Sequence, residues 1–111
     1  MNPRATAVGV VGRERKDGKV ITAKTSVADP VGFHLRAAGR IVKLTKCFQS
    51  EVTIRYGGRA ANAKSIMGLA SLAAEYGAEV EIECAGVDEA EALARLVRLI
   101  SVDLAHPEDG V

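Results

Sequence analysis

Tryptophan is absent from the 111-residue chain, and only two tyrosines and two phenylalanines occur. That supply is too thin for an aromatic platform on which single-stranded bases could stack. Cys47 and Cys84 are too few and too far apart for a disulfide framework or a zinc site. Each lies beside apolar residues, so both are expected to be small buried hydrophobes. No apolar run approaches the length of a membrane span. Residues 5–12 are small and apolar but lack the hydrophobic centre of a signal sequence. A cytoplasmic location is the resulting expectation, with neither membrane insertion nor a cofactor or metal. The formal net charge of +1 gives no global reason to expect nucleic acid or membrane as the main partner. What remains is 48% hydrophobic and 26% charged, enough for one domain with its own core.

Residues 1–19 mix Pro3, Gly9, Gly12 and Gly18 with charges from Arg13 to Lys19 and hold no sustained period. They are expected to form a mobile N-terminal extension. From Val20 the pattern sharpens into a domain over 20–104, with 105–111 as a C-terminal tail. Ile21, Ala23, Thr25 and Val27 alternate with Thr22, Lys24 and Ser26, the two-residue period of a half-buried strand. Val52, Ile54 and Tyr56 repeat it, as do Val80, Ile82 and Cys84 against Glu79, Glu81 and Glu83. Gly57-Gly58 predicts a tight hairpin returning a short strand near Arg59–Asn62. Lys24 and Arg55 are expected opposite the glutamates of the wet face.

Three segments carry helical spacing. Ala38, Ile41, Val42, Thr45 and Phe48 form one apolar stripe, while Arg36, Arg40 and Lys43 fall on another. Ser65 is placed to cap a second helix with Ile66, Leu69, Ala70 and Ala73 inward and Gly77 as its stop. Asp88 is the expected cap of a third, whose buried face is Ala90, Leu93, Val97, Ile100 and Leu104. The fold class that follows is α+β: an open-faced sandwich ordered β-α-β-β-α-β-α. Its four-stranded, mainly antiparallel sheet is covered on one face by three helices. These patterns leave the strand order open.

The chemistry concentrates at Asp29-Pro30-Val31-Gly32-Phe33-His34-Leu35-Arg36, where turn-forming residues end a strand and a histidine opens a helix. A helix start offers unpaired N–H groups and partial positive charge. An imidazole there is expected to serve as a neutral nucleophile, and an anion bonded to it would meet ready donors. Arg36 adds a forked cation suited to phosphoryl oxygens. Between Arg36 and Lys46 stand four basic residues and no acids, whereas Glu75 to Glu91 holds seven acids and no bases. The residues alone suggest anion handling and leave an ordinary N-cap or surface histidine open.

Gly32-Phe33-His34-Leu35-Arg36 and Asn62-Ala63-Lys64-Ser65-Ile66-Met67-Gly68 resemble the two signature segments of the HPr family, the histidine-containing phosphocarriers of the bacterial sugar phosphotransferase system. Gly86-Val87-Asp88-Glu89-Ala90 is similar too, and the resemblance covers about residues 20–104. It implies a pros-phosphohistidine at His34, phosphorylated by enzyme I charged from phosphoenolpyruvate and discharged to an enzyme II A-type domain. It also implies that Arg36 steadies the phosphoryl group and that the chain is a carrier rather than a free-standing enzyme. Ser65 matches a serine that a dedicated kinase phosphorylates in some bacteria. Ile66 and Met67 match partner-docking positions, and Arg40 and Lys43 extend the basic side of that surface. A monomer is the default for such a carrier.

The chain departs from the family at Ala37, where proline is usual, at Gly39, where alanine is usual, and at the bulkier Leu35. Gly39 should cost about 0.5–1 kcal/mol of helix stability. A second reading keeps the fold but assigns a regulatory paralogue, either of a nitrogen-type system or acting through phosphorylated Ser65. Retention of both His34 and Arg36 favours the histidine relay. A third, a ferredoxin-like nucleic-acid binder, is disfavoured by the lack of paired strand aromatics. His106 receives no role.

Overall fold

The computed structural model describes residues 10–15 and 18–106, with side chains from Val20 onward. In chain order the elements are β1 (Val10–Arg15), β2 (Gly18–Ser26), α1 (Leu35–Thr45), β3 (Glu51–Tyr56), β4 (Arg59–Asn62), α2 (Ile66–Leu72), β5 (Glu79–Ala85) and α3 (Glu89–Ser101). A single 3-10 turn, Asp103–Ala105, follows α3. From β2 onward this is the β-α-β-β-α-β-α order of the open-faced sandwich expected from the pattern. The strands lie in the order β1-β2-β5-β3-β4, and each described pair is antiparallel.

β1 is an addition to the four predicted strands. It falls inside the stretch expected to be a tail and pairs with β2 from Val10↔Ala23 to Arg15↔Gly18. The extension's first nine residues and the C-terminal residues 107–111 lie outside the described residues.

The period-two alternation places Ala23, Thr25, Val52, Ile54, Val80, Ile82 and Cys84 on the covered face, all buried. α1 lays Ala37, Ala38, Ile41, Val42 and Thr45 over them, and Phe48 completes the stripe at its end. Each fully buried aliphatic side chain stabilises the fold by about 1.5–3 kcal/mol relative to exposure. Thr45, the one polar member, donates its hydroxyl to the Ala63 carbonyl at 2.8 Å and so ties α1 to the segment before α2. Gly57 and Gly58 turn with φ of +59° and +79°, the backbone a two-residue hairpin needs, and bring Tyr56 opposite Arg59.

Several expectations shift in detail. The buried face of α3 is Ala92, Leu93, Leu96, Leu99 and Ile100, continued by Leu104 after the helix; Ala90 is exposed and Val97 only partly buried. A stripe drawn through Leu96 and Leu99 is more apolar than one through Ala90, and the helix rotates to bury it. α2 buries Leu69 and Leu72 and ends earlier than Gly77, at Ala73, which adopts the left-handed conformation with φ +55°. Ala73 is exposed and Ala70 partly so, and burial passes to Ala74.

Asp88 precedes α3, but its carboxylate makes no cap bond. It accepts instead from the Gln49 and Ser50 amides at 2.9 and 3.0 Å and from the Ser50 hydroxyl at 2.5 Å. These bonds hold its carboxyl below the usual carboxylate range, the Ser50 hydroxyl contributing most.

On the open face, Lys24 and Arg55 both stand opposite Glu81, as the alternation predicts. Arg55 also donates to Glu83 at 2.9 Å, and that hydrogen bond with its charge raises the guanidinium further above its ordinary value. Thr22 and Glu83 are buried although this face was expected to be wet. They belong to interior strands, and Glu83 has Thr22 and Thr53 as cross-strand neighbours on its two sides.

Candidate functional site

After β2 the chain stays pinned to the sheet end: Val27 donates to Ala78 O and accepts from Gly77 N, and Ala28 donates to Ile100 O. Asp29 then turns the chain. Its carbonyl accepts from Gly32 N at 3.0 Å, and its carboxylate Oδ1 accepts from Val31 N at 2.8 Å. Gly32 has φ +92°, and a Cβ added there would collide with the Ala74 carbonyl, so glycine alone fits. Phe33 N donates to that same carbonyl at 2.8 Å while its ring is buried in the core. The left-handed turn at Ala73 is what carries Ala74 beneath this loop.

His34 follows as the N-cap of α1, in extended conformation. Its side chain is 28% exposed, so the ring is neither packed in the interior nor loose in solvent. Nδ1 accepts from Arg36 N at 3.3 Å, and Nε2 lies 3.2 Å from Asp29 Oδ1. A backbone amide only donates, and an ionised carboxylate only accepts. The two contacts therefore suit the tautomer with the proton on Nε2 and the electron pair on Nδ1.

Leu35, Arg36 and Ala37 form the first helical turn, whose amides have no acceptor four residues back within the helix. The Arg36 side chain is exposed and makes no hydrogen bond or ion pair among the described residues, so its fork is available to an anion. Leu35 is 62% exposed and presents its bulk to solvent. Ala37 is fully buried against the core, where it keeps an amide that proline would lack. An added Cβ at Gly39 would meet nothing within 4 Å, and the structure gives no reason for glycine there.

The basic stripe is only partly free. Lys43 is exposed, whereas Arg40 is half-buried and donates to the His106 carbonyl at 2.7 Å. α2 packs against α1. Ser65 caps α2 as expected, its hydroxyl accepting from Gly68 N at 3.0 Å, and is partly buried. Beyond it Ile66 is 40% exposed and Met67 73%. Among the described residues no group of three His, Cys, Asp or Glu is placed to hold a metal ion, and no helix is long and apolar enough to cross a membrane.

Asp29 is the residue that sequence reasoning passed over. Its place before proline marked it as a turn former, and nothing in a five-residue separation announces contact with the imidazole. Only the closed turn brings them together.

The family model described as "PTS HPr component phosphorylation site" matches residues 21–101. The phosphocarrier protein HPr of Cupriavidus necator is 40% identical over 77 residues, 69% of this chain and 86% of the relative. Among solved structures, an HPr from Thermoanaerobacter tengcongensis superposes with TM-score 0.72 at 31% identity, covering 78% of this chain and 97% of that one. A structure of an HPr dimer from the same organism matches with TM-score 0.61 at 29% identity, covering 86% and 94%. With this fold, and a histidine opening the first helix, the chain belongs to the HPr family of phosphocarriers of the phosphotransferase system.

Proposed function

We propose that His34 is the phosphoryl acceptor, that enzyme I charged by phosphoenolpyruvate supplies the group, and that an enzyme II A-type domain of a sugar uptake system receives it. The observation that carries this reading is His34 Nδ1 at the start of α1, 3.3 Å from the Arg36 amide, with the exposed Arg36 side chain two residues on. The Nδ1 pair attacks phosphorus while the donor's leaving atom keeps the electrons of the broken bond. Once Nδ1 is bonded to phosphorus it no longer accepts from Arg36 N, and that amide turns to a phosphoryl oxygen. The Arg36 fork supplies a further donor pair. Phosphoryl transfer has a loose transition state, so positioning and charge stabilisation are most of what a protein contributes. The chain contributes both at its own nitrogen and leaves the remaining apparatus to its partners. This makes it a carrier rather than a free-standing catalyst.

Docking falls to side chains of α1 and α2. Met67 and Ile66 supply exposed apolar contact, and Lys43 with Arg40 supplies the basic side. The test is incubation with enzyme I and phosphoenolpyruvate. Wild type should gain one acid-labile phosphate and His34→Ala none; label persisting in His34→Ala would refute the site.

Ser65 is the candidate for regulation by a serine kinase and phosphorylase. Its hydroxyl is engaged with Gly68 N, so modification exchanges a helix cap worth ~1 kcal/mol for a phosphate at the same end. Phosphorylation should slow acceptance at His34 by placing a second dianion on the docking surface. Labelling by such a kinase that is undiminished in Ser65→Ala would exclude the serine.

A further inference from the structure

We propose that Asp29 is a positioning residue for His34. Its carboxylate holds the imidazole as the Nε2–H tautomer and faces the positive charge the ring gains when Nδ1 bonds to phosphorus. The residue is 4% exposed, and a carboxylate is withdrawn from water at a cost unless its oxygens are bonded. Here one oxygen takes both available donors: Oδ1 accepts from Val31 N at 2.8 Å and lies 3.2 Å from His34 Nε2. The Val31 bond fixes where that oxygen stands, Gly32 and Phe33 dock the turn onto Ala74, and the ring is therefore met from one direction by a rigid acceptor. The opposite nitrogen is met by Arg36 N. Held at both nitrogens, the ring presents Nδ1, not Nε2, to an incoming phosphorus.

In the forward step the Nδ1 pair forms the N–P bond, the donor's leaving atom departs with the pair it shared with phosphorus, and Nε2 keeps its proton. The ring then carries one positive charge, and Asp29 Oδ1 is the anion nearest the nitrogen that holds the proton. In the return step the N–P electrons flow back to Nδ1 and that charge disappears. Asp29 touches neither phosphorus nor donor; it acts through the imidazole.

The tautomer half of this inference stands on geometry alone, whereas the charge half rests on the phosphocarrier reading of His34. The test keeps them apart. Asp29→Ser retains a short side-chain acceptor for the Val31 amide but is too short to reach the ring. Asp29→Asn retains an acceptor for both donors, its carbonyl oxygen pinned toward the ring by the Val31 bond. Two-bond 1H–15N correlation spectra of the neutral ring report which nitrogen carries the proton.

Wild type and Asp29→Asn should show Nε2–H alone. Asp29→Ser should show a share of Nδ1–H and accept phosphate from enzyme I about five- to tenfold more slowly at saturation, the usual scale for one lost hydrogen bond, with KM for enzyme I unchanged. Wild type found as Nδ1–H overturns the proposal, and so does Asp29→Ser with an unaltered tautomer, whatever its rate. Should Asp29→Ser shift the tautomer while wild type takes no phosphate on His34, the phosphocarrier reading falls and the tautomer assignment stands.

Discussion

Cys47 and Cys84 share a side chain and little else. Cys84 lies on the covered face of β5, fully buried, and its thiol is pushed up to about 12, first by burial and then by the charges of Glu89 and Asp88. Cys47 is exposed beyond the end of α1, where its thiol contacts the Lys43 carbonyl at 3.5 Å. Iodoacetamide near pH 8 should therefore modify Cys47 in the native protein and leave Cys84 unmodified until the chain is denatured. Peptide mass mapping with and without guanidinium checks this, and equal native labelling at both would contradict the packing of β5. Neighbouring apolar residues suggested that both thiols were interior. For Cys47 they misled, because Phe48 takes the buried place next to it. The site shows the same division at single-residue resolution. The roles proposed for His34 and Arg36 were legible from a motif at a helix start. Asp29 was not, since turn closure rather than periodicity brings a carboxylate to Nε2.

At the scale of elements, apolar periodicity located β2, β3, β5 and all three helices, because each buries one face on a common core, and the Gly57-Gly58 turn located β4. It placed their borders less well where a side chain serves another segment. Asp88 had the position of a helix cap, yet it secures the chain entering β3 through Gln49 and Ser50. That use has a pH signature. A carboxyl whose folded value is depressed leaves the unfolded chain binding more protons, so its contribution is complete above about pH 4 and is lost as pH falls through the folded value. Asp88→Asn should lower stability at neutral pH and flatten the acid limb of the stability profile below about pH 4, read by urea unfolding at a series of pH values. An unchanged acid limb would mean that the depression does not exist. The early stop of α2 has a comparable cause. A left-handed alanine costs roughly 1–2 kcal/mol, and the return is the Ala74 carbonyl, which receives Phe33 N and sets the loop that carries His34.

For the molecule as a whole, β1 was the element that periodicity missed. The segment Val10–Arg15 alternates poorly and is interrupted by Gly12, and its strand state comes from pairing with β2. Among the described residues its register extends as far as Ala23, short of the turn that bears Asp29 and His34. A variant lacking residues 1–17 should keep the βαββαβα core and accept phosphate at the wild-type rate. Its melting point should fall by roughly 5 °C for each kcal/mol the lost pairing contributed. Circular dichroism melts and the transfer assay decide it, and a collapse of transfer would give β1 a role at the site. The same strand alters how copies of the protein meet one another. Among the described residues, the sheet is bordered by a segment containing Arg13, Glu14 and Arg15 and, on the other side, by the four residues of β4. A charged border and a very short one are poor templates for strand addition. Crowded solutions of this small relay protein should accordingly resist cross-β aggregation.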